Sequence, residues 1–315
     1  MHPLFWFRNL VRRFCPMKKK IEQYVPMKIP SLDELDTDKF PIAYHYCSVD
    51  TFLSIAQYKT IRLSDINTMN DFSEMHWAYE RFEEAANKVF ETYDREFFDF
   101  IDASIRNNAM NILPFLSCFS TDGDVLSQWR AYADNGSGVS VGFDSSKLKQ
   151  LSVRCAPVTY ATEKQVQYFV DLFALVHPMW RSAINDEAKR AVNQMLMISL
   201  FDMCLMKNPA FSEEKEVRIA RAMTILRDSD GWHLDDSEGS GADEISRDKQ
   251  AVRFRSRNGG IVGYIDLPIN GLGADLIREV VLGPRTSNNG NEISMVLNAN
   301  GFKSTKIRAS KATYR

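Results

Sequence analysis

An α+β fold is what this sequence predicts, on three observations. Short runs rich in β-branched and aromatic residues recur along the chain, at 41–48, 61–64, 114–121, 139–143, 153–160, 261–267 and 277–282. Two long stretches, 74–107 and 162–207, carry apolar residues at helical spacing. Strands and helices do not alternate strictly, as a doubly wound parallel sheet would require.

In order, the run at 41–48 is a strand that carries His45 just before a helix. Asp50 is the expected N-cap of that helix, and Phe52, Leu53, Ile55 and Ala56 lie on one helical face. A short strand at 61–64 follows. Residues 65–74 are a loop by composition, with Asn70-Asp71 as a turn pair. From 74 to about 107, Phe82, Ala86, Val89, Tyr93, Phe97, Ile101 and Ile105 mark one long helix or two short ones. The strand at 114–121 turns through Asp122-Gly123-Asp124 into a helix at 125–134, which places Trp129 and Tyr132 on one face. Asn135-Gly136 and Gly138 end it. After the strand at 139–143, Asp144-Ser145 caps a short helix, and 153–160 is another strand.

The region 162–207 is helical with an expected break at His177-Pro178, and its Met- and Phe-rich face reads as core. Residues 211–219 alternate like a half-buried strand, with Val217 and Ile219 one way and Glu214, Glu216 and Arg218 the other. Taken alone, these charges fit either a solvated strand edge or a catalytic Glu-x-Glu. Residues 228–248 hold eight acidic residues among Gly and Ser and are expected to be a mobile surface loop. Arg253, Arg255 and Arg257 make a basic strand edge, and a helix at 291–300 precedes a last strand at 303–308.

The 315 residues are 44% hydrophobic and 25% charged, with a net charge of −2, so no global field favours nucleic acid or membrane. Five scattered cysteines read as reduced core residues of a cytoplasmic protein, and no apolar run reaches transmembrane length. Residues 1–30 stand apart. They mix Trp6, Phe7 and Phe14 with Arg8, Arg12, Arg13 and Lys18 to Lys20, as a basic amphipathic leader that either touches a membrane surface weakly or a partner, or packs on the domain. Residues 31–315 then form a single domain, with helical insertions at about 74–110 and 162–207.

Several chemistries are excluded by pattern. Phosphate-binding loops, a dinucleotide Gly-x-Gly-x-x-Gly and a Gly-x-Ser-x-Gly elbow are absent. His45-x-Cys47 has no second ligand pair near it, so no metal is expected. Polar residues at strand ends remain: His45, Tyr46, Ser48, Asn70, Ser117, Ser120, Trp129, Tyr132, Glu214, Glu216 and Arg218. Each also has a structural explanation. Trp129 and Tyr132 can pack their helix on the sheet, the serines can be ordinary strand residues, and a lone strand histidine is usually hydrogen-bonded scaffolding.

The segment around His45, with Phe52 and Ile55 after it, resembles the opening of ADP-ribosyltransferases, though Tyr46-Cys47 stands where that family has Gly-Ser. A wider set resembles a bacterial family long labelled a domain of unknown function. That set is His45-Tyr46, Asn70-Asp71-x-x-Glu74, Ser117-x-x-Ser120, Trp129-x-x-Tyr132, Gly138 to Asp144, Glu214-x-Glu216-x-Arg218 and Leu282-Gly-Pro284. The family looks like divergent ADP-ribosyltransferases of the His-Tyr-Glu type, often in toxin or anti-phage defence settings. The resemblance implies a split mixed or antiparallel sheet with inserted long helices.

It also implies an NAD-dependent transferase with a protein or nucleic-acid acceptor, and leaves room for a neutralising or regulatory partner. Cleavage of the nicotinamide bond passes through an oxocarbenium-like state and needs charge placement rather than metal. By resemblance, Glu216 supplies that charge and His45 holds the adenosine ribose. Tyr132 stacks on nicotinamide, Glu214 orients or deprotonates the acceptor, and Arg218 grips phosphate or orients Glu216. Tyr46, Ser48, Asn70, Ser117, Ser120 and Trp129 complete the NAD site. An NAD glycohydrolase, or a nucleotide- or partner-binding module without chemistry, is the alternative on the same fold.

Overall fold

The computed structural model describes residues 32–68, 74–151, 153–183, 185–236, 249–257 and 259–314. The expected leader at 1–30, Asn70-Asp71 and residues 237–248 of the acidic stretch lie outside the described residues. Two compact units emerge, one from Asp71–Ile112 with Thr159–Pro209 and one from Glu34–Asn70, Leu113–Val158 and Ala210–Arg315. No helix among the described residues is long and apolar enough to cross a membrane.

The second unit is α+β. In chain order it contains β1 (Ile42–Cys47), α1 (Val49–Tyr58), β2 (Thr60–Asp65), β3 (Ile112–Ser120), then α4 (Leu126–Tyr132), β4 (Val139–Asp144), α5 (Ser145–Leu148) and β5 (Arg154–Pro157). It continues with β6 (Glu216–Asp228), β7 (Gly231–Asp235), β8 (Arg253–Arg257), β9 (Gly260–Pro268), β10 (Ile277–Leu282), α8 (Gly290–Ala299) and β11 (Lys306–Ala309). The strands form one mixed sheet in the order β11-β10-β4-β1-β3-β2-β9-β8, and β6 pairs with β3, β5 and β7. The β10–β11 ladder is parallel, whereas β1–β4, β2–β9 and β8–β9 are antiparallel. Between β1 and β3 the ladder narrows to one residue pair, Tyr44 with Ser120. The sheet all but opens there.

Alternation decides which face each side chain takes. Ala43, Cys47, Phe119, Val141, Phe143, Val217, Ile219, Ile265 and Leu267 join Phe52 and Ile55 of α1 and Ile293 and Leu297 of α8 in one apolar core. Burying a side chain such as Phe52 outright contributes about 1.5–3 kcal/mol. Tyr44, Tyr46, Ser120 and Ser140 occupy the opposite face, as the pairings Tyr44–Ser120 and Tyr46–Ser140 require.

The first unit is helical, from α2 (Glu74–Lys88), α3 (Arg95–Asn111), α6 (Thr162–Ser182) and α7 (Asp186–Met203). Its stretch after residue 74 is therefore two helices. Edge-to-face contacts of Phe82 with Phe169 and Phe173 fill its centre. Buried Gln165 takes the Trp77 indole N–H at 3.0 Å and donates to the carbonyls of Thr159 and Lys207 at 2.6 and 2.9 Å.

Four local expectations are corrected. Ser48, not Asp50, caps α1, its hydroxyl accepting the Thr51 N–H at 3.1 Å. The helix of 162–207 runs through Pro178 to Ser182 and ends beyond it, where Asn185 caps α7. His177 and Trp180 pack on Phe97 from either side of Pro178, which holds that last turn in place. Residues 211–219 are not one strand. Pro209–Glu214 is a 3-10 turn, Lys215 takes φ +46°, and β6 starts at Glu216. Finally, the start of the acidic stretch is the β6–β7 hairpin rather than loop. It delivers Asp236 to Arg221, a buried pair with contacts of 3.0 and 2.8 Å.

Candidate functional site

Glu216 opens β6 and faces away from the apolar core, because Val217 and Ile219 face into it. Arg218, two residues on, shares that side of the strand. Its Nε donates to Glu216 Oε1 at 2.8 Å and its Nη2 to Oε2 at 3.0 Å. Only 6% of the Glu216 side chain and 1% of Arg218 reach solvent. A planar fork on a carboxylate fixes both groups in orientation.

Glu214 sits one turn earlier and does not share a pleat with Glu216, because the left-handed Lys215 intervenes. That turn is held from β3. The Ser120 hydroxyl donates to the Glu214 carbonyl at 2.7 Å, and the Thr121 N–H donates to the Lys215 carbonyl at 2.9 Å. Lys215 Nζ in turn meets Asp122 Oδ2 at 2.9 Å. The hydroxyl of Tyr132, the last residue of α4, donates to Glu214 Oε1 at 3.3 Å. Tyr132 is 38% exposed, so Tyr132 and Glu214 form the solvent-reaching part of this group.

Trp129 is different. It is fully buried, stands edge-on to Tyr46 at 4.9 Å, and donates its indole N–H to Asp124 Oδ1 at 2.8 Å. Tyr46 is also structural: its hydroxyl accepts the Val125 N–H and donates to the Asp122 carbonyl, both at 2.8 Å. The two pin the Asp122–Val125 turn, and hence α4, to the sheet. Trp129 and Tyr132 therefore occupy different environments, although their spacing suggested one face.

His45 points into the core side. Its Nδ1 lies 2.9 Å from the Cys118 carbonyl, and its ring lies 5.5 Å from that of Phe119. The carbonyl requires a proton on Nδ1, so the neutral ring keeps its lone pair on Nε2. Burial pushes its pKa below the usual histidine value, against the opposing pull of the Cys118 carbonyl. The imidazole thus bridges β1 and β3 where their ladder fails. The expected partners His45 and Glu216 lie on opposite faces of the sheet, since pleat parity separates Phe119 from Ser120 and Val217 from Glu216.

Of the other expected NAD contacts, Ser48 is engaged as a helix cap and Ser117 is buried on the core side. The Ser117 hydroxyl has no hydrogen-bond partner among the described residues. Asn70 lies outside them. No cluster of three or more His, Cys, Asp or Glu suited to a metal occurs among the described residues.

Sequence reasoning passed over Tyr44, Asp124, Glu279 and Arg308. Tyr44 donates to Glu279 Oε2 at 2.9 Å, and Arg308 Nε holds the other oxygen at 3.0 Å. Burial first, then the Glu279 carboxylate, pushes the Tyr44 phenol up to about 12. Burial would raise the Asp124 carboxyl, but Ser310, the Lys311 N–H, Trp129 and Arg308 outweigh it and hold the group below its ordinary value. The signal was the alternation Tyr44-His45-Tyr46. It puts both tyrosines on the face opposite the histidine.

Residues 128–219 match the model of a family described as a protein of unknown function, DUF2971. The match takes in Trp129, Tyr132, Glu214, Glu216 and Arg218. No curated protein and no solved structure matches the chain.

Proposed function

From a match that carries no assigned activity, we propose an NAD-dependent ADP-ribosyltransferase acting on a macromolecular acceptor, in a toxin or defence setting. The observation that carries the reading is the meeting of Tyr132 with Glu214, 82 residues apart in the chain, two residues before the oriented Glu216 of the Glu216–Arg218 pair. The narrowed β1–β3 ladder agrees with the split sheet of that fold.

In this reading the N-glycosidic bond breaks and nicotinamide leaves with the bonding pair. Glu216 faces the developing oxocarbenium ion through a ribose hydroxyl. An acceptor oxygen or nitrogen then supplies its lone pair to the anomeric carbon, and its proton passes to Glu214. Tyr132 offers an exposed ring for the nicotinamide. Because of its place on the core side, His45 is reassigned from the ribose to fixing β1 against β3. Tyr46 and Trp129 likewise hold α4 rather than the ligand.

Incubation of the purified chain with adenine-labelled NAD and cell lysate tests the reading. Label should pass to macromolecules with release of nicotinamide, and Glu216→Gln should abolish both. Free ADP-ribose without labelled acceptor would point to a glycohydrolase. The absence of both products would overturn the enzymatic reading. The second reading, a nucleotide- or partner-binding module, draws on the bidentate burial of Glu216 by Arg218. Calorimetry showing NAD or ADP-ribose bound without turnover would favour it.

A further inference from the structure

The geometry points to the β2–β9–β8 end of the sheet as a docking face for the phosphodiester backbone of single-stranded nucleic acid. The inference concerns binding alone and does not depend on the chemistry proposed above.

All five residues of β8 are exposed. Arg253 pairs with Tyr264, Arg255 with Val262 and Arg257 with Gly260 across β9, and Arg62 of β2 pairs with Asp266. Antiparallel partners share a face, so four arginines lie on one side of three adjacent strands. Asp266 takes both Arg62, at 2.8 Å, and Arg253, at 3.3 Å. Burial first, then the charges of Arg62 and Arg257, lower the Arg255 pKa against the opposing pull of Tyr264 and Asp266. The arrangement holds like charges together on a rigid surface, an arrangement that an anionic partner stabilises.

Spacing argues for a single strand. Alternate residues of a β-strand lie about 6.8 Å apart, close to the separation of successive phosphates on an extended chain. The guanidinium of Arg62 also lies 3.8 Å from the centre of the Tyr264 ring, a stack that an unpaired base can extend. Charged residues on an edge strand also deter sheet-to-sheet aggregation. That role explains β8 but not Arg62, two strands further in on the same face.

Register carries this face onward. Ser64 pairs with both Tyr264 and Leu116, and Ser120, further along β3, shares the side of Leu116. The arginines therefore share a sheet face with Ser120, whose hydroxyl holds the Glu214 turn.

Fluorescence anisotropy of the full chain with labelled oligo(dT) and oligo(rU) of about 20 nucleotides tests the inference, over about 50 to 200 mM salt. Wild type should bind with strong salt dependence. Arg253→Gln/Arg255→Gln should lose at least about tenfold in affinity, and its slope of log K against log salt should become shallower by about 1.4. Lys303→Gln/Lys306→Gln, with the same charge change at exposed positions near and on β11, should leave both unchanged. Circular dichroism checks that each variant is folded. Three outcomes overturn the inference: unchanged binding in the arginine variant, equal loss in the lysine variant, or binding to heparin or anionic vesicles without binding to either oligonucleotide. A preference between the two oligonucleotides would name the sugar.

Discussion

Arg218 closes on both carboxylate oxygens of Glu216, at 2.8 and 3.0 Å, with both side chains out of water. Removing Arg218 takes a bidentate partner from a buried carboxylate. Arg218→Met should therefore cost about 3–5 kcal/mol in urea unfolding. Arg218→Met/Glu216→Gln should recover a large part of that loss, because the carboxylate that lost its bidentate partner is now neutral. If the double variant is as unstable as the single, packing rather than charge dominates at this position.

Tyr132 is the exposed end of the same group, so its role can be separated from folding. Tyr132→Phe and Tyr132→Ala should each shift stability by less than about 1 kcal/mol. If the ring stacks on nicotinamide, the Phe variant keeps turnover while the Ala variant raises KM for NAD at least about tenfold, about 1.4 kcal/mol of binding. Equal effects of the two substitutions would assign the role to the hydroxyl that meets Glu214.

Much of this was legible in the chain, and the gaps have physical causes. Period-two alternation located the strands, and Gly and Asn located the turns, because both signals are local. The Glu214–Glu216 segment misled because its alternation is genuine while Lys215 adopts a left-handed backbone, held from β3 by Thr121. The Asp236–Arg221 pair was invisible for a different reason. Its acid lies in a run whose composition reads as solvated, and only the β6–β7 hairpin returns it to the core. His45 attracted notice as a rare residue in a strand, whereas the tyrosines on either side of it occupy the face of the candidate site.

The depressed pKa of His45 has a consequence with a definite sign. Its folded pKa lies below the unfolded value of about 6.5, so below that pH the unfolded chain binds more protons. The contribution is present above about pH 6.5 and is lost as pH falls from there towards the folded pKa. His45→Asn keeps a donor near the place of Nδ1 but cannot titrate. Urea midpoints measured between pH 8 and pH 5 should fall more steeply for wild type than for this variant. Parallel curves would show that His45 charges without cost.

Gly123 and Tyr44 test how tightly the turn before α4 is seated. A Cβ built on Gly123 would lie 2.5 Å from both Cδ1 and Cε1 of the Tyr44 ring. Another on Gly142 would lie 2.9 Å from the same ring. The tyrosine is confined from two sides, while its hydroxyl is committed to Glu279 at 2.9 Å. Gly123→Ala must therefore displace either the ring or the turn, and overpacking of this kind costs about 1–3 kcal/mol. Tyr44→Ala removes the obstacle at the cost of its own packing. In the combined variant the clash is gone, so the two losses should fall short of additivity by at least about 1 kcal/mol. A double-mutant cycle by urea unfolding measures this. Full additivity would mean that the turn, not the ring, yields to the new methyl group.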